Sequence, residues 1–155
     1  MKEFDTNFYC YKYAIGRSDS IATMNVNEST ATSSLFNSSS YLKENFSVAS
    51  TLNTIEVPVK KLDSLDLLLE GPVLLKIDVQ GYEQEVLLGA VNTLKNIDTI
   101  LVELSFAELY EKQPLFEDIY ALLKSNGFVY AGNYDQINSP INGLVLQADG
   151  IFFKQ

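Results

Sequence analysis

The pattern of apolar and polar positions divides the chain into two parts with different periodicity. Up to residue 60, apolar and polar residues alternate in short runs, which is typical of strands with one buried face. From residue 73 onward, continuous apolar runs are followed by segments with helical spacing. This order of strands and helices predicts an α/β layer fold.

The first part is predicted to contain three strands and a long polar loop. Residues 8–15 are rich in aromatics and residues 21–26 alternate, and the turn-forming residues between them favour a hairpin. Residues 27–40 are mostly Ser, Thr and Asn, which predicts a loop. Residues 54–60 alternate again, and Pro58 cannot donate a hydrogen bond to a neighbouring strand, so this strand is expected at a sheet edge.

The second part is organised around residues 73–90, VLLKIDVQGYEQEVLLGA. Residues 73–79 are apolar on both faces apart from Lys76 and Asp78, as expected of a strand covered on both sides, and these two share one face. After Gly81 the spacing becomes helical. The other predicted elements are short helices at 41–46 and at 62–69 (with Asp63 or Ser64 as its N-cap), a helix at 114–126, strands at 99–106, 128–134 and 150–154, and a polar loop at 135–143.

Composition and charge narrow the classes of function. The net charge of the 155-residue chain is −9, which argues against nucleic acid or an anionic membrane as the main partner, because both need a basic face. The sequence contains no histidine, which excludes Ser-His-Asp and Cys-His catalysis, and the single Cys10 cannot form an intrachain disulfide. No apolar run reaches the roughly 18 residues of a membrane span, and the start lacks the apolar stretch of a signal peptide. We therefore expect a cytoplasmic protein.

Acidic side chains lie near the ends of two predicted core strands. Asp78 ends the strand at 73–79 and Glu103 lies near the end of the strand at 99–106. If these strands are parallel neighbours about 4.8 Å apart, the carboxylates approach each other at the edge where such sheets bind ligands. Close carboxylates raise one pKa, which suits a general base, or they share a divalent cation. The competing interpretation is that Asp78 caps the next helix and Glu103 pairs with Lys76.

The residues that follow Asp78 are ambiguous on their own. Gln80 and Gly81 form a turn, and Glu83 either caps its own helix or faces the site. The dinucleotide motif GxGxxG and the phosphate-binding motif GxxxxGKS/T are absent from the sequence. Ser33 and Ser34 could act as nucleophiles, but no base is apparent near them in the sequence, so they are assigned to the polar loop.

The segment KIDVQGYEQEVLLGA resembles the signature of FkbM-family methyltransferases, in which Lys-Ile-Asp or Lys-Val-Asp leads through Glu-Gly into a helix that ends in Gly-Ala. The segments YAIGRSDSIATMNV, TATSSLF, VPVKKLDSL, ILVELSF, ALLKSNGF and DGIFF are also similar to that family, so the resemblance covers roughly residues 8–154. One departure is Gln80, where the family usually has Glu. The change removes a charge and weakens the case for this side chain as a metal ligand or base.

The resemblance implies an S-adenosylmethionine-dependent O-methyltransferase, often acting on hydroxyls of sugars, polysaccharides, polyketides or other small metabolites. The implied fold is a Rossmann-like class I methyltransferase sheet of order 3-2-1-4-5-7-6. In that scheme residues 8–15 correspond to strand three, 73–79 to four, 99–106 to five, 128–134 to six and 150–154 to seven.

Strands one and two of that scheme, which carry the Gly-rich cofactor loop and the ribose-binding acid, have no counterpart in the sequence. We therefore expect one partial domain over residues 1–155, with a β-rich hairpin and loop region at 1–60 and an α/β core at 73–155. The edge of strand 73–79 would then be open. Either the N-terminal strands form a small antiparallel sheet of their own, or this edge serves homodimerisation.

The resemblance assigns roles to three sets of residues. They are the catalytic candidates Asp78, Glu103 and Lys76, the cofactor-binding candidates Ala14, Ile15 and Asp78, and the supporting residues Gln80, Gly81 and Glu83. A divalent cation could assist, without assigned ligands, and the acceptor is a small molecule or glycan. The alternative function is a non-catalytic remnant or interaction subunit that retains only the acceptor side of the fold.

Overall fold

The computed structural model describes residues 8–46 and 49–155, which form two β-sheets and short helices. The strands are β1 (Ala14–Ile15), β2 (Ser20–Asn27), β3 (Thr51–Lys60), β4 (Leu74–Ile77), β5 (Thr99–Ser105), β6 (Phe128–Asn138) and β7 (Val145–Lys154). The α-helices are α1 (Ser40–Asn45), α2 (Glu83–Leu88) and α3 (Phe116–Ser125), with 3-10 helices at Thr30–Thr32, Leu62–Ser64 and Thr93–Asn96. Among these helices none has the length and apolar content needed to cross a membrane.

The larger sheet has the strand order β4-β5-β7-β6. β4 and β5 are parallel, and β7 runs antiparallel to both of its neighbours. This is the same order as strands four, five, seven and six in the scheme that the resemblance implies. The prediction of an α/β fold is confirmed, and each of these four strands was predicted from the hydrophobic pattern.

The β6–β7 hairpin is longer than predicted. Residues 135–138, the first part of the expected polar loop, continue β6, and residues 145–149 extend β7 at its start. Backbone pairing does not require apolar side chains, so the ladder extends past the hydrophobic core with polar residues on it. This extension carries Asp135 and Asp149 into register with β5.

The three N-terminal strands form a sheet of their own, as predicted, but they pair differently. β2 is antiparallel to β3 and β1 is parallel to β3, so the order is β1-β3-β2 and the expected hairpin between residues 8–15 and 21–26 is wrong. The long β3 offers β2 eight paired positions, which favours that pairing over one with the short β1.

β3 is the central strand, so the prediction that Pro58 marks an edge strand is also wrong for the strand as a whole. The proline is tolerated because β1 pairs only with Val59 and Lys60, beyond Pro58. Along the rest of β3, the described part of the chain provides no strand on the side where β1 pairs.

The main core lies between the larger sheet and the helices α2 and α3. Its buried residues include Ile77, Val86, Leu87, Ala90, Leu94, Ile100, Val102, Leu104, Ile119, Leu123, Phe128 and Phe152. In β4, however, Leu75 and Ile77 face the core while Leu74 is 61% exposed, so the strand is not covered on both faces as expected. β4 ends the sheet, and an edge strand is less enclosed than a central one.

The helix predicted over residues 62–69 is wrong. Only Leu62–Ser64 forms a 3-10 turn, and neither Asp63 nor Ser64 is its N-cap. The Asp63 carboxylate instead accepts hydrogen bonds from the backbone N–H groups of Asn92 and Thr93, at distances of 2.7–3.1 Å. It thus supports the start of the 3-10 helix Thr93–Asn96, which follows β4 and α2, and local sequence cannot reveal such a distant contact.

Candidate active site

A sharp turn joins β4 to α2 and positions the candidate residues. Gln80 and Gly81 both have positive φ angles, of 54° and 93°. The left-handed region is uncommon for a residue with a side chain, whereas glycine adopts it readily. A Cβ on Gly81 would also lie 3.0 Å from the Tyr110 ring, so this position requires glycine.

The side-chain amide of Gln80 bridges the two candidate carboxylates. Its Nε2 donates to Asp78 Oδ1 at 2.9 Å and to Glu103 Oε2 at 3.3 Å. The Tyr110 hydroxyl donates to Gln80 Oε1 at 2.8 Å. The predicted approach of Asp78 and Glu103 at the end of two parallel strands is therefore confirmed, with a neutral amide in contact with both.

Lys76 lies on the same face as Asp78, as the two-residue period predicts. Its Nζ donates to Asp78 Oδ2 at 2.6 Å. Burial raises the pKa of Asp78, but the hydrogen bonds from Lys76 and Gln80 outweigh it and hold this pKa below its ordinary value. The same bond raises the pKa of Lys76. Lys76 therefore pairs with Asp78, and the competing interpretation in which it pairs with Glu103 is wrong.

Glu83 is 3% exposed and holds the turn together. Its Oε1 accepts hydrogen bonds from the backbone N–H groups of Val79 at 3.2 Å and Gly81 at 3.1 Å. Burial raises the pKa of Glu83 to about 7, in spite of these hydrogen bonds. These contacts hold the turn that precedes α2, and the start of α2 has no side-chain cap, so the capping interpretation of Glu83 is wrong.

Glu103 is the carboxyl whose pKa is raised most. Burial, followed by repulsion from Glu83 and Asp78, raises the pKa of Glu103 to about 8. The prediction that proximity raises one of the two pKa values is confirmed, although burial is the larger cause. At neutral pH the site therefore combines an ionised Asp78 with a largely protonated Glu103.

A wall of the site comes from the polar loop before α1. Ser34 Oγ donates to the backbone carbonyl of Gln80 at 2.6 Å, and the Tyr110 hydroxyl lies 3.1 Å from the carbonyl of Thr32. Burial raises the pKa of Tyr110, so its hydroxyl stays protonated and can donate. Ser34 thus helps to hold the turn, a role that its position in a polar loop does not indicate.

The site opens into a cleft of about 580 Å³. The cleft brings Ala14 and Ile15 together with Asp78, Gln80 and Glu103. The rest of its lining is Tyr13, Met24, Thr30, Ala31, Ser33, Ser34, Leu35, Val79 and Tyr82. The predicted site residues outside this lining are Lys76, Gly81 and Glu83.

Tyr110 is a functional candidate that no pattern in the sequence indicates. It is fully buried, and its ring packs in a second small core with Leu42, Leu109 and Leu146. Its place in an irregular segment after β5 carries no periodic signal. Only the tertiary fold reveals that its hydroxyl reaches the site.

A metal site is not supported by the described part of the chain. No group of three or more Asp, Glu, His or Cys side chains there is arranged to hold a metal ion. Gln80 contributes a donor nitrogen to both carboxylates, where a shared cation would require free oxygen ligands.

A ligand cleft that meets two carboxylates at the ends of parallel strands is the arrangement found in α/β ligand-binding proteins and enzymes. The family model described as "Methyltransferase FkbM domain" matches residues 2–130 of the 155 residues. The chain therefore belongs to the FkbM methyltransferase family, as the resemblance predicted. Neither a curated protein nor a solved structure matches the chain.

Proposed function

We propose that the chain is an S-adenosylmethionine-dependent O-methyltransferase acting on a hydroxyl group of a sugar, polysaccharide or other small metabolite. The observation that carries this proposal is the meeting of a large, mostly apolar cleft with the pair Asp78 and Glu103. Family membership supports methyl transfer as the reaction. The order β4-β5-β7-β6 supports a Rossmann-like class I methyltransferase sheet.

Several features of the large cleft suit parts of S-adenosylmethionine, although the Gly-rich loop and the ribose-binding acid of the implied scheme have no counterpart in the sequence. The volume of about 580 Å³ lies within the range of about 300–1,000 Å³ for small-molecule sites. Ala14 and Ile15 offer small apolar surface suited to an adenine ring, and the negative charge of Asp78 suits a sulfonium group. When bound, this cofactor supplies an electrophilic methyl group on a positively charged sulfur.

The protein's own contribution is orientation and removal of the acceptor proton. Asp78 is ionised at neutral pH, as an ordinary Asp is, and its lowered pKa keeps it so. Its carboxylate is therefore available to accept the proton of a hydroxyl group as the methyl group is transferred. Lys76 and Gln80 each bind one of its oxygens and so fix the orientation of the carboxylate. Glu103 supports Asp78 from the neighbouring strand through the shared amide.

Substitution of Asp78 tests this assignment. In Asp78→Asn the proton acceptor is lost while the size is kept, so methyl transfer to a panel of neutral sugars should fall by about 100-fold or more. Transfer of labelled methyl from S-adenosylmethionine measures the rate, and calorimetry measures cofactor binding. Circular dichroism confirms that the variant is folded.

Asp66→Asn is the matched control, because Asp66 is exposed and does not line the cleft. Unchanged turnover in Asp78→Asn would refute the catalytic assignment. If neither S-adenosylmethionine nor S-adenosylhomocysteine binds the chain at millimolar concentration, the enzyme proposal fails and the non-catalytic interaction subunit becomes the better explanation.

A further inference from the structure

Asn27 is a buried polar residue at the end of β2. It is 1% exposed and lies outside the lining of the large cleft. The register of β2 against β3 shifts between Val26 and Asn27, and an irregularity of this kind redirects a side chain. The Asn27 amide contacts both β3 and the polar loop that follows β2, so it joins the loop to the small sheet.

Both ends of the Asn27 amide form hydrogen bonds. Nδ2 donates to the backbone carbonyl of Thr32 at 2.7 Å and to Ser38 Oγ at 3.2 Å, while Oδ1 accepts from Thr51 Oγ1 at 2.9 Å. Because a carbonyl oxygen can only accept, the Thr32 contact requires Nδ2 to face the loop. The loop held in this way lines the large cleft with Thr30, Ala31, Ser33, Ser34 and Leu35.

The Thr32 carbonyl has a second neighbour, the Tyr110 hydroxyl. The hydroxyl oxygen lies 3.1 Å from this carbonyl and 2.8 Å from Gln80 Oε1. Both neighbours are acceptors, and a hydroxyl group has only one proton to donate. The shorter distance places that proton towards Gln80, whose Nε2 then donates to Asp78 and Glu103.

The orientation of the Gln80 amide therefore depends on which acceptor takes the Tyr110 proton. If the proton went to Thr32, the hydroxyl oxygen could accept instead, and the Gln80 amide could turn its Nε2 towards it. Oε1 would then face the ionised carboxylate of Asp78, so the contact would become repulsive. Because an acceptor withdrawn from water is costly to leave without a partner, a Thr32 carbonyl without Asn27 would compete for this proton.

We propose that Asn27 is a positioning residue for methyl transfer. By binding the Thr32 carbonyl, it leaves the Tyr110 proton to Gln80 and so fixes the amide that contacts both carboxyl groups of the site. The effect on the rate rests on the proposed methyltransferase function. A residue that only supported the cleft wall would affect binding and hence KM, whereas a residue that orients the carboxyl groups affects kcat.

A double-mutant cycle tests this route. Asn27→Leu removes the donor, so kcat should fall by up to about tenfold with a smaller change in KM, as expected for Tyr110→Phe. In the double variant, kcat should lie within about twofold of that of Tyr110→Phe alone, because the route is already broken there. Two independent effects would instead multiply to about 100-fold.

Nuclear magnetic resonance of the full chain provides a measurement that needs no turnover. The side-chain amide signals of Gln80 should shift in Asn27→Leu in the same direction as in Tyr110→Phe, and no further in the double variant. Asn53→Leu is the matched control, because it makes the same change at an exposed position of β3 outside the cleft. It should leave kcat and the Gln80 signals unchanged.

Thr51→Val is the second variant in case Asn27→Leu does not fold. Thr51 is exposed, and the substitution removes only the hydroxyl group that holds Asn27 Oδ1. The less firmly held amide should shift the Gln80 signals in the same direction by a smaller amount. Circular dichroism shows which variants are folded.

The proposal is overturned if the two kcat effects multiply in the double variant, or if the Gln80 signals of a folded Asn27→Leu match those of the original chain. Unchanged signals in Thr51→Val overturn it where Asn27→Leu is unfolded. Absence of methyl transfer by the original chain counts against the methyltransferase function alone, because the Gln80 signals still report whether Asn27 orients the amide.

Discussion

At the scale of single residues, Gln80 lets two carboxylates share one site. Its Nε2 contacts both Asp78 and Glu103, and the Tyr110 hydroxyl fixes the direction in which the amide points. A Glu at this position, which the family resemblance leads one to expect, would place a second negative charge beside Asp78 and would have no N–H to donate to either carboxyl group. The amide instead donates to both carboxyl groups without adding charge. Because the Tyr110 hydroxyl donates to the amide oxygen, the orientation of the amide depends on that hydroxyl.

Tyr110→Phe keeps the buried ring and removes only the hydroxyl. We expect a loss of about 1 kcal/mol of unfolding free energy and a fall of about tenfold in kcat with little change in KM, because a misoriented amide disturbs the transition state more than binding. Urea denaturation and steady-state kinetics measure the two effects. Tyr134→Phe, at an exposed tyrosine, should change neither, and an unaltered kcat in Tyr110→Phe would exclude the positioning role.

Glu103 should give methyl transfer a pH dependence near neutrality. Its pKa is raised to about 8, so it ionises as the pH rises through that value. A second negative charge makes Asp78 a stronger base, so the rate should increase with pH and level off above about 8. In Glu103→Gln this increase in rate should disappear. If the rate of the variant still increases with pH in the same way, the increase is due to another titrating group.

At the scale of elements, the turn from β4 into α2 depends on a buried carboxyl group. Glu83 binds two backbone N–H groups of the turn, yet burial makes its charge unfavourable. The turn is therefore best stabilised when Glu83 is protonated. The helix α2 is only six residues long, so it relies on this turn and on packing rather than on its own hydrogen bonds.

Stability should consequently fall as the pH rises. The folded-state pKa of Glu83, about 7, exceeds its ordinary value of 4.5, so its contribution is fully present below about 4.5 and is lost as the pH rises through about 7. The loss is on the order of 3 kcal/mol. Urea denaturation measures the free energy of unfolding across this pH range. This free energy should decline less in Glu83→Gln than in the original chain, while the exposed control Glu117→Gln should decline as the original chain does. Parallel declines in all three would contradict this account.

At the scale of the whole molecule, the free edge of β4 is the feature most open to assembly. β4 pairs only with β5 in the described structure, and Leu74 on it is exposed. Unpaired strand edges favour pairing with another chain. The small sheet of β1, β2 and β3 forms separately and does not extend the larger one.

We predict a homodimer that pairs through the β4 edge. Sedimentation of the chain should show a dimer at micromolar concentration, and Leu74→Lys should shift it towards monomer, because a charged side chain disfavours association at a strand edge. Leu68→Lys is the control, since Leu68 is also exposed, more so than Leu74, but lies outside the strands. A monomer at all accessible concentrations would show that this edge does not serve assembly.

Much of the larger sheet was determined by local patterns in the sequence. Continuous apolar runs and helical spacing predicted its four strands and α3, and the position of Asp78 and Glu103 near two strand ends predicted their approach. These inferences succeed because strand period, strand direction and the carboxyl-edge rule follow from the backbone alone. The family signature at residues 73–90 supplied the class of reaction.

Only the tertiary structure decided how distant segments meet. The parallel pairing of β1 with β3, the contact of Tyr110 with Gln80, and the row formed by Glu103, Asp149 and Asp135 each join residues far apart in sequence. No periodic pattern encodes such contacts, because they depend on which elements pack together and in what register. The sequence by itself therefore determined that Asp78 and Glu103 meet at the ends of two strands, while the fold decided which side chains orient these two carboxyl groups and which cleft adjoins them.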